Sequence, residues 1–213
     1  MKRYILAITG ASGSIFGIRV LETLLEHSEV HLIISKQSFS IIAHETGIDW
    51  SGRTDVEVRK KITAHVKSHK IHYYDETDLG APLASGSFLT DGMLVVPCSM
   101  KTLAGISNGF AQNLTERAAD VMIKEGRPLL ISPREMPFSA IHLDNMLKLA
   151  RLGVKIVPPV PAFYQKPKEL NDIVNFVTGK ILDSFGVKHD LFKRWKNFTE
   201  KNSAPLTNSR GVR

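Results

Sequence analysis

One cysteine, Cys98, is all the thiol in 213 residues. An internal disulfide and an all-cysteine metal site are therefore excluded. So little thiol suits a reducing compartment, and the cytoplasm is the expected location. Long hydrophobic runs are missing too. The stretch Tyr4–Ile8 is too short for a secretory signal and passes into glycines without a cleavage-site pattern. No window approaches the length of a membrane span. Acidic residues are outnumbered, 21 against 28 basic, for a formal net charge of +7. That excess favours anionic partners without choosing among nucleic acid, membrane surface and phosphorylated small molecules. No internal repeat and no linker divides the chain.

What is present is an ordinary globular composition, 43% hydrophobic and 23% charged, at a length that suits one domain. That domain is expected over residues 1–198, followed by a polar tail over 199–213 with no apolar period. Apolar runs alternate with amphipathic ones. Strands are expected at Tyr4–Ile8, Val30–Ile34, Gly92–Pro97, Arg127–Ser132 and Val154–Val157, with the third ended by its proline. Helical spacing marks Ile15–Leu25, Lys101–Ile106, Leu114–Lys124, Ala140–Leu152 and Lys168–Phe185, and Gln37–Thr46 is a loop or a helix. Four prolines between 158 and 167 forbid regular structure there. The class is α/β: three layers around a doubly wound, mainly parallel sheet. Residues 49–78, charged and rich in histidine, fall outside this rhythm and are expected to be a peripheral excursion.

Between the first strand and helix lies Thr9-Gly-Ala-Ser-Gly-Ser-Ile-Phe-Gly17. A glycine turn opening a helix offers unpaired amides and a positive dipole end, which suits a phosphate. The glycines fall at 10, 13 and 17, which satisfies neither the dinucleotide nor the P-loop spacing. The second strand ends at Ser35-Lys36, where a dinucleotide site would want an acid for the ribose. NAD is disfavoured, and a mononucleotide phosphate such as that of FMN fits better. Ser12 and Ser14 could add hydroxyl donors.

Pro97-Cys-Ser-Met-Lys-Thr102 stands at the next strand end. Ser99 and Thr102 are suitable capping residues there, or, with Lys101, a second polar wall for a cofactor. Cys98 reads as a buried small hydrophobe. Arg117, Lys124, Arg134, Lys180 and the phenol of Tyr164 could surround a second anion, although each alone is an ordinary surface group. His65, His69 and His72 have metal-compatible spacing but sit among lysines and arginines that would repel a cation. Asp75–Asp78 reads as a loop.

Taken together and in order, TGASGSIFG, Ser35, Ala84–Phe88, Pro97–Thr102, Glu116–Asp120, Pro133–Glu135, Pro158–Tyr164 and Leu191–Trp195 resemble the UbiX-type flavin prenyltransferases over residues 3–196. The resemblance implies a flavodoxin-like, flavin-binding homo-oligomer, typically a dodecamer, with sites at subunit junctions. It implies a metal-independent reaction in which dimethylallyl monophosphate alkylates reduced FMN at N5 and C6, the product serving a UbiD-type decarboxylase. Positions matching FMN contacts are Gly10, Ala11, Ser12, Ser35, Ser99, Met100, Lys101, Thr102 and Arg134. Catalytic and prenyl-phosphate positions are matched by Ser12, Glu45, Arg117, Lys124, Arg134, Glu135, Tyr164 and Lys180. Many relatives carry Arg where this chain has Lys180, which keeps the charge but loses the bidentate fork. Trp195 is a candidate to face an allyl cation.

Three other readings compete. A direct aromatic-acid decarboxylase of this family is disfavoured, because no obvious base pair to bind the carboxylate is present. Flavin-dependent cysteine decarboxylases share a motif resembling Pro97–Thr102, but they carry a Met-Asn pair where this chain has Arg134-Glu135, and their catalytic histidine has only His44 as a counterpart. A basic RNA-binding or flavin-storage module would rest on residues 59–72 alone, with no interleaved aromatics before Tyr73 and Tyr74.

Overall fold

A computed structural model describes residues 1–194. Trp195 and the 199–213 tail lie outside the described residues, as does the end of the expected 1–198 domain. The elements are β1 (Lys2–Ile8), α1 (Ser14–His27), β2 (Ser28–Ile34), α2 (Lys36–Thr46), α3 (Asp55–Val66), β3 (Ile71–Asp75), β4 (Gly92–Cys98), α4 (Met100–Ser107), α5 (Leu114–Lys124), β5 (Leu129–Pro133), α6 (Ala140–Arg151), β6 (Lys155–Ile156) and α7 (Leu170–Phe185). A single 3-10 turn, Pro82–Ala84, is the only helical element between β3 and β4.

All strand pairs are parallel, in the order β3-β2-β1-β4-β5-β6. The chain winds outward from β1 in one direction and then, from β4, in the other. This makes a doubly wound, flavodoxin-like α/β sheet whose switch point lies between β1 and β4. Alternation along β1 feeds two cores. Tyr4, Leu6 and Ile8 face α1, α2, α3 and α7, while Ile5 and Ala7 face α4, α5 and α6. All seven residues of β4 are buried, as expected of a central parallel strand covered on both faces.

Two expectations are corrected. Residues 49–78 are no excursion: they supply α3 and the edge strand β3, which pairs with β2 from Val30↔Ile71 to Ile34↔Asp75. Trp50, Val58, Ile62, Ile71 and Tyr73 from this segment are core residues. The second correction concerns Pro97, which does not end β4. The strand runs on to Cys98, and the missing N–H is absorbed by a register shift against β5 between Val95 and Cys98. The Pro97 carbonyl still accepts from the Thr9 amide at 3.2 Å and its hydroxyl at 3.0 Å. No helix among the described residues is long and apolar enough to cross a membrane.

Two glycines set the start of α1. Gly13 has φ 92°, in the left-handed region that side chains disfavour. A Cβ on Gly17 would lie 2.3 Å from the Val96 carbonyl oxygen, so only glycine lets α1 pack this closely on β4.

Candidate active site

At the carboxyl edge of β1, β4 and β5 lies a cleft of about 620 Å³, within the usual range for small-molecule sites. The turn after β1 contributes Gly10, Ala11 and Ser12, α2 contributes Ser40, Ile41, His44 and Glu45, the β4 end Ser99 and Met100, and the β5 end Arg134 and Glu135. A smaller recess of about 200 Å³ shares Gly10 and Ser99 with it and adds Ser35, Gln37, Glu76, Lys101, Thr102, Asn113 and Thr115. Both sit at the switch point, where open α/β sheets bind ligands.

The glycine turn differs from the expectation for it. Two of its amides, those of Gly13 and Ser14, are already taken by a carboxylate of this chain. Glu45 Oε2 accepts from the amides of Gly13 and Ser14, each at 3.0 Å, and from the Ser14 hydroxyl at 2.8 Å. Partial burial pulls the Glu45 carboxyl upward, but hydrogen bonds from Ser12, Ser14 and Gly13 outweigh it and hold the pKa below the ordinary value. An anionic Glu45 therefore stands where a dinucleotide fold seats its pyrophosphate. Across the cleft, Arg134 Nε donates to the Ser12 carbonyl at 3.2 Å, tying the β5 loop to the glycine turn. Glu135 Oε1 accepts from the next amide, Met136, at 3.0 Å.

The recess is lined by hydroxyls. Ser99 caps α4 by accepting from the Thr102 amide, and its Oγ lies 3.0 Å from Thr102 Oγ1. Ser35 Oγ lies 2.8 Å from Ser38 Oγ. Thr115 Oγ1 is buried without any partner. Hydroxyls, helix N-termini and the Lys101 amine are a donor set made for a phosphate, so the residues present fit a mononucleotide such as FMN.

The Flavoprotein family model matches residues 1–182. Flavin prenyltransferase UbiX of Methanocaldococcus jannaschii is 51% identical over 193 residues, covering 91% of this chain and 98% of that one. The chain belongs to the UbiX-type flavin prenyltransferase family. Among solved structures, AnUbiX (PadA1) in complex with FMN and dimethylallyl pyrophosphate superposes with a TM-score of 0.82 at 42% identity, covering 92% of this chain and 98% of that one. A dodecameric FMN-dependent UbiX-like decarboxylase from Escherichia coli O157:H7 gives 0.81 at 44% identity, over 92% of this chain and all of that one.

Seen as a UbiX-type chain, the molecule brings one set of motif residues together and leaves another apart. Gly10, Ala11, Ser12, Glu45, Ser99, Met100, Arg134 and Glu135 line the cleft, and Ser35, Lys101 and Thr102 line the recess. Arg117, Lys124, Tyr164 and Lys180 line neither. Arg117 donates to the Ala84 carbonyl at 3.0 Å and to Asp120 at 2.8 Å. Lys124 pairs with Glu125 at 2.7 Å. Tyr164 packs edge-on against Phe176, 5.6 Å between centroids, and Lys180 is exposed on α7.

The three histidines do not converge either. His72 stacks on His31 at 4.9 Å beside Glu29, whose carboxylate also holds Arg3 at 3.2 Å. Cys98 is fully buried, and burial pushes its thiol well above the ordinary range, as suits a packed small residue. Sequence reasoning missed Ser40, Ile41 and Gln37, and it set His44 aside although His44 lines the cleft. Their spacing at 37, 40, 41 and 44, with Glu45, is one helical face. That signal was available in the sequence. Nothing local marked Glu76, Asn113 or Thr115.

Proposed function

We propose that this protein joins a dimethylallyl group from dimethylallyl monophosphate to N5 and C6 of reduced FMN, making prenyl-FMN in the cytoplasm for a UbiD-type decarboxylase. The observation that carries the reading is the Arg134-Glu135 pair on the wall of a flavin-sized cleft, in a chain 51% identical to a curated flavin prenyltransferase. When bound, reduced FMN supplies the nucleophilic ring positions. Gly10, Ala11, Ser12, Ser35, Ser99, Met100, Lys101, Thr102 and Arg134 would hold it.

The chain's own groups have distinct tasks in this proposal. Glu45 fixes the glycine turn and takes a hydrogen bond from Ser12. The Ser12 oxygen therefore keeps its acceptor capacity for an N–H in the cleft. Glu135 moves the proton exchanged with the departing phosphate. Breaking an allylic C–O bond leaves extra negative charge on that phosphate, and preorganised cations stabilise it. Arg117, Lys124, Tyr164 and Lys180 would reach it from neighbouring copies, since they lie away from their own chain's cleft. That arrangement requires a homo-oligomer, and the dodecameric relative is a precedent for one.

Flavin-dependent decarboxylation is the second reading, favoured by His44 on the cleft wall and by the decarboxylase description of the E. coli structure. Parallel anaerobic incubations separate the two: reduced FMN with dimethylallyl monophosphate, and FMN with an aromatic acid. Prenyl transfer predicts loss of dimethylallyl monophosphate in the first and no carbon dioxide in the second. Carbon dioxide release without prenyl consumption overturns the proposal. Glu135→Gln should keep FMN binding while lowering turnover about a hundredfold or more, and unchanged turnover removes Glu135 from this role.

A further inference from the structure

Strand pairing gathers Glu29, His31 and His72 on one face of the sheet. Glu29 and His31 are two apart on β2, so their side chains point the same way. His31 is the register partner of His72 on β3, and Glu29 that of Arg3 on β1. Register partners share a face. Tyr74, two residues beyond His72 on β3, joins the same row. The sequence spacing offered His65 and His69 as companions for His72, whereas the fold supplies His31 and Glu29. The group stands at the amino ends of these strands, the opposite edge from the cleft, and none of its members lines cleft or recess.

The atoms converge as ligands do. His31 Nε2 lies 2.8 Å from Glu29 Oε1, His72 Nε2 lies 3.5 Å from the same oxygen, and one donor atom from each residue falls within 4.8 Å of the others. Tetrahedral zinc, with bonds of about 2 Å, holds its ligand atoms about 3.3 Å apart. Small side-chain shifts therefore seat an ion among them. The surroundings point the same way. His31 is buried, with Phe88 edge-on to its ring at 5.0 Å and the Tyr74 hydroxyl 3.0 Å from Nδ1. Donation of Nδ1–H to that oxygen leaves the Nε2 lone pair facing Glu29 and His72, which is how metal-binding imidazoles are oriented. Arg3 opposes a cation by its charge. It is nevertheless anchored on the far side of Glu29, to Oε2 at 3.3 Å and Oε1 at 3.2 Å, to the Leu89 carbonyl and over the Phe88 ring. A carboxylate has about four acceptor sites, so Arg3 orients Glu29 without exhausting it. His72, half-exposed, opens the group to solvent and leaves a position for water.

We propose that Glu29, His31 and His72 form a binding site for a zinc-type divalent cation, which ties the edge strand β3 to β2. Two imidazoles and one carboxylate suit zinc and its first-row neighbours, whereas magnesium and calcium take oxygen ligands. The ion's role is structural: it adds a cross-strand link where β3 has a neighbour on one side only. The site stands apart from the flavin reading and takes no part in the proposed prenyl transfer.

The test titrates the chelator-treated full chain with Co²⁺ and Zn²⁺. Co²⁺ should develop the visible absorption of a four-coordinate site and saturate at one equivalent per chain. Zn²⁺ should abolish that signal, and excess Mg²⁺ should not. His72→Ala, at a half-exposed position that tolerates truncation, should remove the saturable equivalent, while His65→Ala should bind as the parent does. Tyr74→Phe should weaken Zn²⁺ about tenfold or more at unchanged stoichiometry, the effect of losing the partner that orients a ligating imidazole. A second measurement reads stability. Zn²⁺ should raise the unfolding midpoint of the parent and leave that of His72→Ala unchanged, because an ion held only by the native state stabilises it by mass action. No saturable equivalent in the parent, or one that survives His72→Ala, overturns the site.

Discussion

Glu45 shows how one residue can change what a motif means. Its carboxylate satisfies two amides and one hydroxyl at the start of α1, so it works as a helix cap contributed from another helix. Glu45→Gln should cost about 1 kcal/mol in the flavin-free protein, near the ordinary value of a cap and no more, because the carboxylate is only partly buried and solvent screens it. The pH dependence follows from the depressed pKa. A group whose folded pKa lies below its unfolded value stabilises above the carboxylate range and loses that contribution as pH falls through it. The stability gap between parent and variant should therefore hold from neutral pH down to about 5 and close below that. A gap that widens in acid would contradict the assignment. The residue types at the site were legible in the sequence: Ser12, Ser35, Ser99, Thr102 and Arg134 all line the cleft or the recess. The partner of the glycine turn was not, because Glu45 lies 32 residues from Gly13 and only packing of α2 brings them together. Thr115 was hidden for the same reason.

At the scale of elements, the central strands and their helices follow from apolar runs and helical spacing, whereas α3 and β3 do not. An edge strand and the helix over it bury few side chains. Only Val58 and Ile62 are buried on α3, and β3 alternates buried Ile71 and Tyr73 with an exposed His72. The surrounding charges drown so sparse a pattern. The packing is real nonetheless, and Ile62→Ala should destabilise by about 2–4 kcal/mol, the usual cost of truncating a buried isoleucine, measured by denaturant unfolding. A change under about 0.5 kcal/mol would return the segment to a loose excursion. Gly17→Ala tests the α1–β4 approach. With a Cβ 2.3 Å from a backbone carbonyl oxygen, the helix must move, and overpacking of this kind costs about 2–3 kcal/mol, lowering the thermal midpoint by about 4–12 °C. An unchanged midpoint would mean that the helix has room there.

For the whole molecule, the cleft and the remote cations make sense together only if copies assemble. Exposed apolar side chains are available for this: Ile141 and Leu147 on α6, and Met136, Val160 and Phe163 on the flanking loops, more than scattered surface residues require. The proposed dodecamer predicts a light-scattering mass of twelve times the 23.7 kDa chain, and Leu147→Glu should lower that mass and turnover together. A monomeric mass with full activity would mean that Arg117, Lys124, Tyr164 and Lys180 have no part in the chemistry. The central claim is that flavin is a substrate of this protein as well as its guest. Its most direct test is the mass of the flavin recovered after anaerobic incubation with reduced FMN and dimethylallyl monophosphate. The account predicts a flavin heavier by one dimethylallyl-derived unit. Unmodified FMN recovered from folded, flavin-loaded protein would contradict it.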